Sequence, residues 1–135
     1  MNRTLITLAI ASCCAFAGTA SAQISKDEYK AQKDRISAEY KAAKERCSPL
    51  KDNAQDICKV EAKGNNEVAK AELEAQYKPS PKHDEKVRSA KADAAHELAK
   101  EKCDDLNGNA KDVCKKDAKA AHASAKADVK AASKS

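Results

Sequence analysis

The chain reads as an all-α protein of two tandem disulfide-closed helical hairpins, four helices in all, set as a compact bundle or an extended array. Three observations predict this. A segment repeats: residues 43–63 run AKERCSPLKDNAQDICKVEAK and residues 99–119 run AKEKCDDLNGNAKDVCKKDAK, an offset of 56 residues. Both copies have the form C-x-x-L-x-x-N-A-x-D-[Ile/Val]-C-Lys, with ten residues between the cysteines. Repetition at a fixed period marks one supersecondary unit used twice. The flanks of each cysteine pair are dominated by Ala, Lys, Glu, Gln and Arg, the strong helix formers. Finally, Leu, Ile, Val and Phe supply only 12 of the 113 residues from 23 to 135. So small a share forms a thin core, and covalent bridges must oppose the chain entropy instead.

Residues 1–22 read as a signal peptide. Arg3 is the positive n-region, Leu5 to Phe16 is a short apolar run, and Ala20-Ser21-Ala22 is a small-residue cleavage pattern before Gln23. The run is shorter than the ~20 residues of a membrane span. An alternative is a lipid anchor through Cys13, because Ile10-Ala11-Ser12-Cys13 resembles a bacterial lipobox. Residues 23–78 form the first hairpin repeat, with helices over 26–47 and 54–77. Pro79-Ser80-Pro81 is the linker (79–81), with Ser80 suited to cap the next helix and Pro81 to open it. Residues 82–135 form the second repeat, with helices over 82–104 and 110–132 and a basic, fraying C-terminal tail. The portion from residue 23 carries 25 Lys+Arg against 21 Asp+Glu, a formal charge of +4. The two signs are interspersed, as on solvated helix faces.

The cysteines fix the reversals. A helix running unbroken from residue 47 to 58 would hold its cysteines about 16 Å apart along the axis. A disulfide needs Cα atoms at about 4.4–6.8 Å. Turn signals lie between the cysteines of both copies: Pro49 in one, Gly108 in the other, and Asn53 and Asn109 as helix N-caps. The pairing is therefore assigned as Cys47–Cys58 and Cys103–Cys114, each bridge contributing about 3 kcal/mol in the chain-entropy model. Two other connectivities exist in principle. The local one makes each copy self-contained.

Within the first helix, Glu28-Tyr29-Lys30-Ala31-Gln32-Lys33 recurs eleven residues later as Glu39-Tyr40-Lys41-Ala42-Ala43-Lys44. Eleven residues is about three turns, so Tyr29, Ile36 and Tyr40 share a face that reads as a partner-docking surface. Ile57, Val60, Val68 and Ala71 stripe the second helix, and Val87, Ala94 and Leu98 the third. The fourth has Val113, Ala118, Ala121, Ala125 and Val129. Gly64 falls inside the second helix, where it costs about 1 kcal/mol unless the helix kinks.

The twin motif KERCSPLKDNAQDICK and KEKCDDLNGNAKDVCK resembles small exported Lys/Ala/Glu-rich helical proteins of Gram-negative bacteria, of uncharacterised role and sometimes labelled TolA-like. The resemblance covers most of the chain after residue 22. It implies a periplasmic helical protein and brings no catalytic residues with it. The eleven-residue echo also looks like the repeats of late-embryogenesis-abundant proteins, a likeness of composition.

No catalytic signature stands out. C-x₁₀-C is too wide for a zinc knuckle, and a redox enzyme needs C-x-x-C. His83, His96 and His122 have no i, i+4 spacing and read as isolated surface histidines, with a packing role for His96 in the place of Tyr40. There is no nucleophile elbow and no Gly-rich phosphate loop. Lys115 to Ser135 carries six lysines and two aspartates without arginine or aromatics, which reads as a solubilising tail and not as a nucleic-acid site. The expectation is a non-catalytic periplasmic protein without cofactor or metal, with a structural, scaffold or stress-protective role and envelope proteins as partners. The alternative is a module for metal, anionic glycan or lipid headgroups, bound through the lysines.

Overall fold

Each cysteine pair brackets a chain reversal. The computed structural model describes residues 23–133 and contains four helices: α1 (Lys26–Cys47), α2 (Asp52–Tyr77), α3 (Pro81–Cys103) and α4 (Gly108–Ala132). Cys47 is bonded to Cys58 and Cys103 to Cys114, both with Cα atoms 5.6 Å apart. The signal-peptide and Cys13 readings lie outside the described residues.

Local chemistry explains the boundaries. Ser25 caps α1, its hydroxyl accepting from the Glu28 amide at 3.1 Å. Ser80 caps α3 in the same way through the His83 amide at 3.2 Å, with Pro81 in the first turn. Lys78, held before Pro79, leaves the helical region at φ −132° and ψ 76° and ends α2.

The entries to α2 and α4 correct one expectation. Asn53 and Asn109 are not the N-caps. Those positions fall to Lys51 and Asn107, neither with a side-chain cap bond. The cause is a left-handed residue at the same place in both copies: Asp52 at φ 52° and Gly108 at φ 54°. That turn starts the helix earlier and puts the asparagines inside its first turn. The Asn53 amide is then used elsewhere, donating to the Glu101 carbonyl of α3 at 2.9 Å.

The reversals are clamped differently in the two copies. Gln55 donates its amide to the carbonyls of Leu50 (3.0 Å) and Ser48 (3.3 Å), satisfying chain that has left α1. Its counterpart Lys111 pairs instead with Asp104 at 2.8 Å, and Lys115 joins at 2.8 Å. Hydrogen bonds from Lys111 and Lys115 hold the Asp104 carboxyl at a pKa of about 2.

The helices run up and down in a row. Among the described residues, backbones pack closely only between sequence neighbours: α1 with α2, α2 with α3, and α3 with α4. No such contact joins α1 to α4, so the arrangement is an open row rather than a closed four-helix bundle. Gly64 lies within the unbroken α2, where α3 passes so close that a Cβ at this position would meet the Ala94 Cβ at 2.8 Å. The interior is thin. The buried apolar residues are Cys47, Ala62, Leu73, Cys103, Ala118 and Val129, and the half-cystines Cys47 and Cys103 are the largest fully buried side chains. No helix among the described residues is long and apolar enough to cross a membrane.

Candidate functional site

In an antiparallel hairpin closed by a bridge, residues counted equally outward from the two cysteines face each other. His96 lies seven residues before Cys103 and His122 eight after Cys114. Their rings stack between α3 and α4, with centroids 4.3 Å apart and planes 10° from parallel. The two are therefore not isolated surface histidines. The signal was present in the spacing from the bridge, not in the spacing along either helix.

These rings belong to a polar cluster centred on Asp93. His122 donates Nε2–H to Asp93 Oδ1 at 2.6 Å. Lys126 donates to both carboxylate oxygens at 3.2 and 3.1 Å, and also to the Ser89 hydroxyl. Ser89 in turn donates to Oδ2 at 3.3 Å. His96 donates Nδ1–H to the Ala118 carbonyl at 3.1 Å, since a carbonyl can only accept. Burial alone would raise the Asp93 carboxyl; the hydrogen bonds and charges of His122 and Lys126 outweigh it and hold the group below the usual carboxylate range. Lys126 donates to Ser89 and Asp93 together and so ties α4 to α3.

In the first hairpin the same four positions are Ser37, Tyr40, Asn66 and Lys70. Tyr40 and Asn66 line opposite sides of a cavity of about 200 Å³, with Ala43, Arg46 and Ala62 also around it. Asn66 is buried, and its Oδ1 has no hydrogen-bond partner among the described residues. At the far end Tyr29 stacks on Tyr77, with centroids 4.4 Å apart and planes at 27°. Its hydroxyl donates to Glu74 Oε1. That hydrogen bond, then desolvation and the nearby negative charge, raise the Tyr29 pKa. Tyr29 and Tyr77 obey the same counting, 18 residues before Cys47 and 19 after Cys58.

The residues read as a docking face thus divide. Tyr29 is turned against α2, and Ile36 is half-buried. Tyr40 lines an open groove of about 610 Å³ between α1 and α2, with Lys41, Lys44, Lys59, Val60 and Lys63 around it. The Lys44 ammonium lies 5.2 Å from the centroid of the Tyr40 ring. The four bridge cysteines are joined in pairs, and Asn53 ties α2 to α3. Asn109 is exposed. Among the described residues no group of three His, Cys, Asp or Glu side chains is placed to hold a metal ion.

No protein-family model, curated protein or solved structure matches this chain.

Proposed function

We propose that this is a non-catalytic, exported helical protein of the periplasm, with a structural, scaffold-like or stress-protective role in the cell envelope. One observation carries the reading: each hairpin is locked by a bridge at its reversal, while its outer faces are charged and solvated. Persistent disulfides belong to oxidising compartments. A charged row of stapled helices needs little apolar interior and offers a stable surface to other proteins. The apolar leader at residues 5–16 and the likeness to exported Lys/Ala/Glu-rich helical proteins support the location. The test is heat-induced aggregation of an unrelated client protein with the oxidised chain added. Suppression at equimolar amounts supports the protective role, and unchanged light scattering counts against it.

The groove beside Tyr40 favours a second reading, a site for an anionic glycan or lipid headgroup. Lys41, Lys44, Lys59 and Lys63 all line it, with Glu45 the sole carboxylate among its lining residues. Retention on vesicles of anionic lipid that falls as salt rises supports this reading, and retention indifferent to salt removes its electrostatic basis.

A further inference from the structure

The 56-residue repeat has a consequence at the two ends of the helix row. Inside the molecule, α2 accepts α3 through a contact that includes Gly64 against Ala94 and the ion pair of Glu72 with Lys91 at 2.7 Å. The bond from Asn53 to the Glu101 carbonyl completes it. Advancing the α2 residues by 56 positions gives Asn109, Ala120, Ser124 (for Val68) and Asp128 on α4. All four are exposed. Val113, in the place of the half-buried Ile57, is 45% exposed on the same side. Moving the α3 residues back by 56 gives Arg35, Ala38, Ala42 and the Glu45 carbonyl on α1. These residues too are exposed. Each end of the row therefore presents one half of a contact that the molecule already makes once within itself.

We infer that the outer face of α4 receives α1 of a second copy, in the register in which α2 receives α3. Asp128 then meets Arg35 of the second copy where Glu72 meets Lys91, and Asn109 reaches the second copy's Glu45 carbonyl. The signs at this position match the template, acid on the accepting helix and base on the docking one, although Arg35 is already paired with Glu39 of its own helix at 2.8 Å and is shared between the two carboxylates. The contact is heterologous: it uses different faces of the two copies, leaves both outer faces open again, and so propagates as a chain rather than closing as a dimer. It is also weaker than its internal template. Val68 is replaced by Ser124 and Leu98 by Ala42, Glu39 stands where α3 has Ala95, and Ala120 cannot make the close approach of Gly64. Terminal units of repeat arrays carry polar outer faces that keep the array soluble, and substitutions of that kind weaken the end-to-end contact here. The assembly is thus reversible and concentration-dependent. It deepens the scaffold reading by naming the partner, and it rests on that reading only for its biological use.

Sedimentation velocity and equilibrium of the oxidised protein test it. The weight-average mass should rise smoothly between about 10 µM and about 1 mM, without a plateau at the dimer. Arg35→Asp should move the association to several-fold higher concentration, and adding Asp128→Arg should restore it. The pair Ala42→Leu and Ser124→Val returns the template's residues to exposed helix positions, where folding is not at risk. It should strengthen association about tenfold or more. A monomer at every concentration that stays monomeric in the Ala42→Leu/Ser124→Val variant overturns the proposal. So does a mass that stops at the dimer, or association unmoved by the charge exchange. A strictly monomeric protein that still suppresses client aggregation sinks this assembly and leaves the scaffold reading standing.

Discussion

Replacing Cys103 and Cys114 by alanine should unfold the second hairpin well before the first. The bridge spans a separation of 11 residues. Closing a loop of that length in the unfolded chain corresponds to about 3 kcal/mol in the chain-entropy model. The two bridges lie in separate hairpins with no shared partners, so their losses add to about 6 kcal/mol. That is comparable with the entire stability of many domains of this size. Little stands behind it: Leu73 and Val129 are the only large aliphatic side chains buried among the described residues, each contributing about 1.5–3 kcal/mol. The hairpins differ in what remains once the bridge is gone. The first keeps Leu73 and the Tyr29–Tyr77 stack, whereas the second keeps Val129 and a polar cluster. Circular dichroism at 222 nm, followed against temperature, separates the cases. At about 4–8 °C per kcal/mol for a unit of this size, a bridge lost should lower the midpoint of its own hairpin by about 12–24 °C. The Cys103/Cys114 variant should also lose more helix at 25 °C than the Cys47/Cys58 variant. A fully reduced protein that melts cooperatively within about 3 °C of the oxidised form would refute the reasoning, because packing alone would then hold the hairpins.

Other substitutions probe single features. Gly64→Ala brings a Cβ to 2.8 Å from that of Ala94, an overpacking whose cost exceeds the ~1 kcal/mol gain in helix propensity; urea melts should show a net loss of about 1 kcal/mol, recovered by adding Ala94→Gly. Asp52→Gly should stabilise by up to about 1 kcal/mol because its φ is 52°, and Gly108→Ala should destabilise by a similar amount at φ 54°, both read from denaturation midpoints. Asp93 has a folded pKa below its unfolded one, so its contribution is present above about pH 4 and is lost as pH falls through the folded value. Asp93→Asn should flatten that acid limb, by less than about 1 kcal/mol because the side chain is 46% exposed. For Tyr29 the sign reverses: a raised pKa gives stability that is present below about pH 10 and is lost as pH rises through the folded value. Tyr29→Phe should cost about 1 kcal/mol near neutrality and lack that alkaline slope.

The parts of the fold that were legible in the sequence are those set by nearest neighbours. Proline at 79 and 81, serine at 80 and the run of helix formers put the helix boundaries within about two residues of those observed. The pairing of the cysteines followed from the same local reasoning, since a reversal was required between them. The starts of α2 and α4 were misplaced because asparagine is a good cap in general, while the left-handed turn at Asp52 and Gly108 moves the cap upstream. The polar cluster was missed for a different reason. Helical periodicity relates residues on one helix, and His96, His122, Asp93 and Lys126 come from two. Once the bridge is taken as a ruler, both stacked ring pairs lie at nearly equal distances from their cysteines. The meeting of α2 with α3 has no such ruler. Only a short linker joins those helices, so the role of Gly64 beneath Ala94 was not derivable from spacing.

The staple also explains why two copies of one motif fill their interiors so differently. Without a bridge, the register of two alanine-rich helices depends on a few large side chains, and a change at any of them lets one helix slide on the other. With the register fixed covalently at one end, interior positions no longer have to be apolar to be defined. Tyr40 and Asn66 in the first hairpin become His96 and His122 in the second, and Leu73 becomes Val129, while the backbone reversal and its left-handed residue are retained. The half-buried polar groups of the second hairpin satisfy one another around Asp93, which offsets the cost of their partial burial. Asn66 marks the limit of this tolerance: its buried Oδ1 has gained no donor from Tyr40 or Arg46, which line the same cavity. A donor placed at Ala43 or Ala62 would complete that position, and the hairpin carrying it should be the more stable one only while the Cys47–Cys58 bridge keeps the two faces in step.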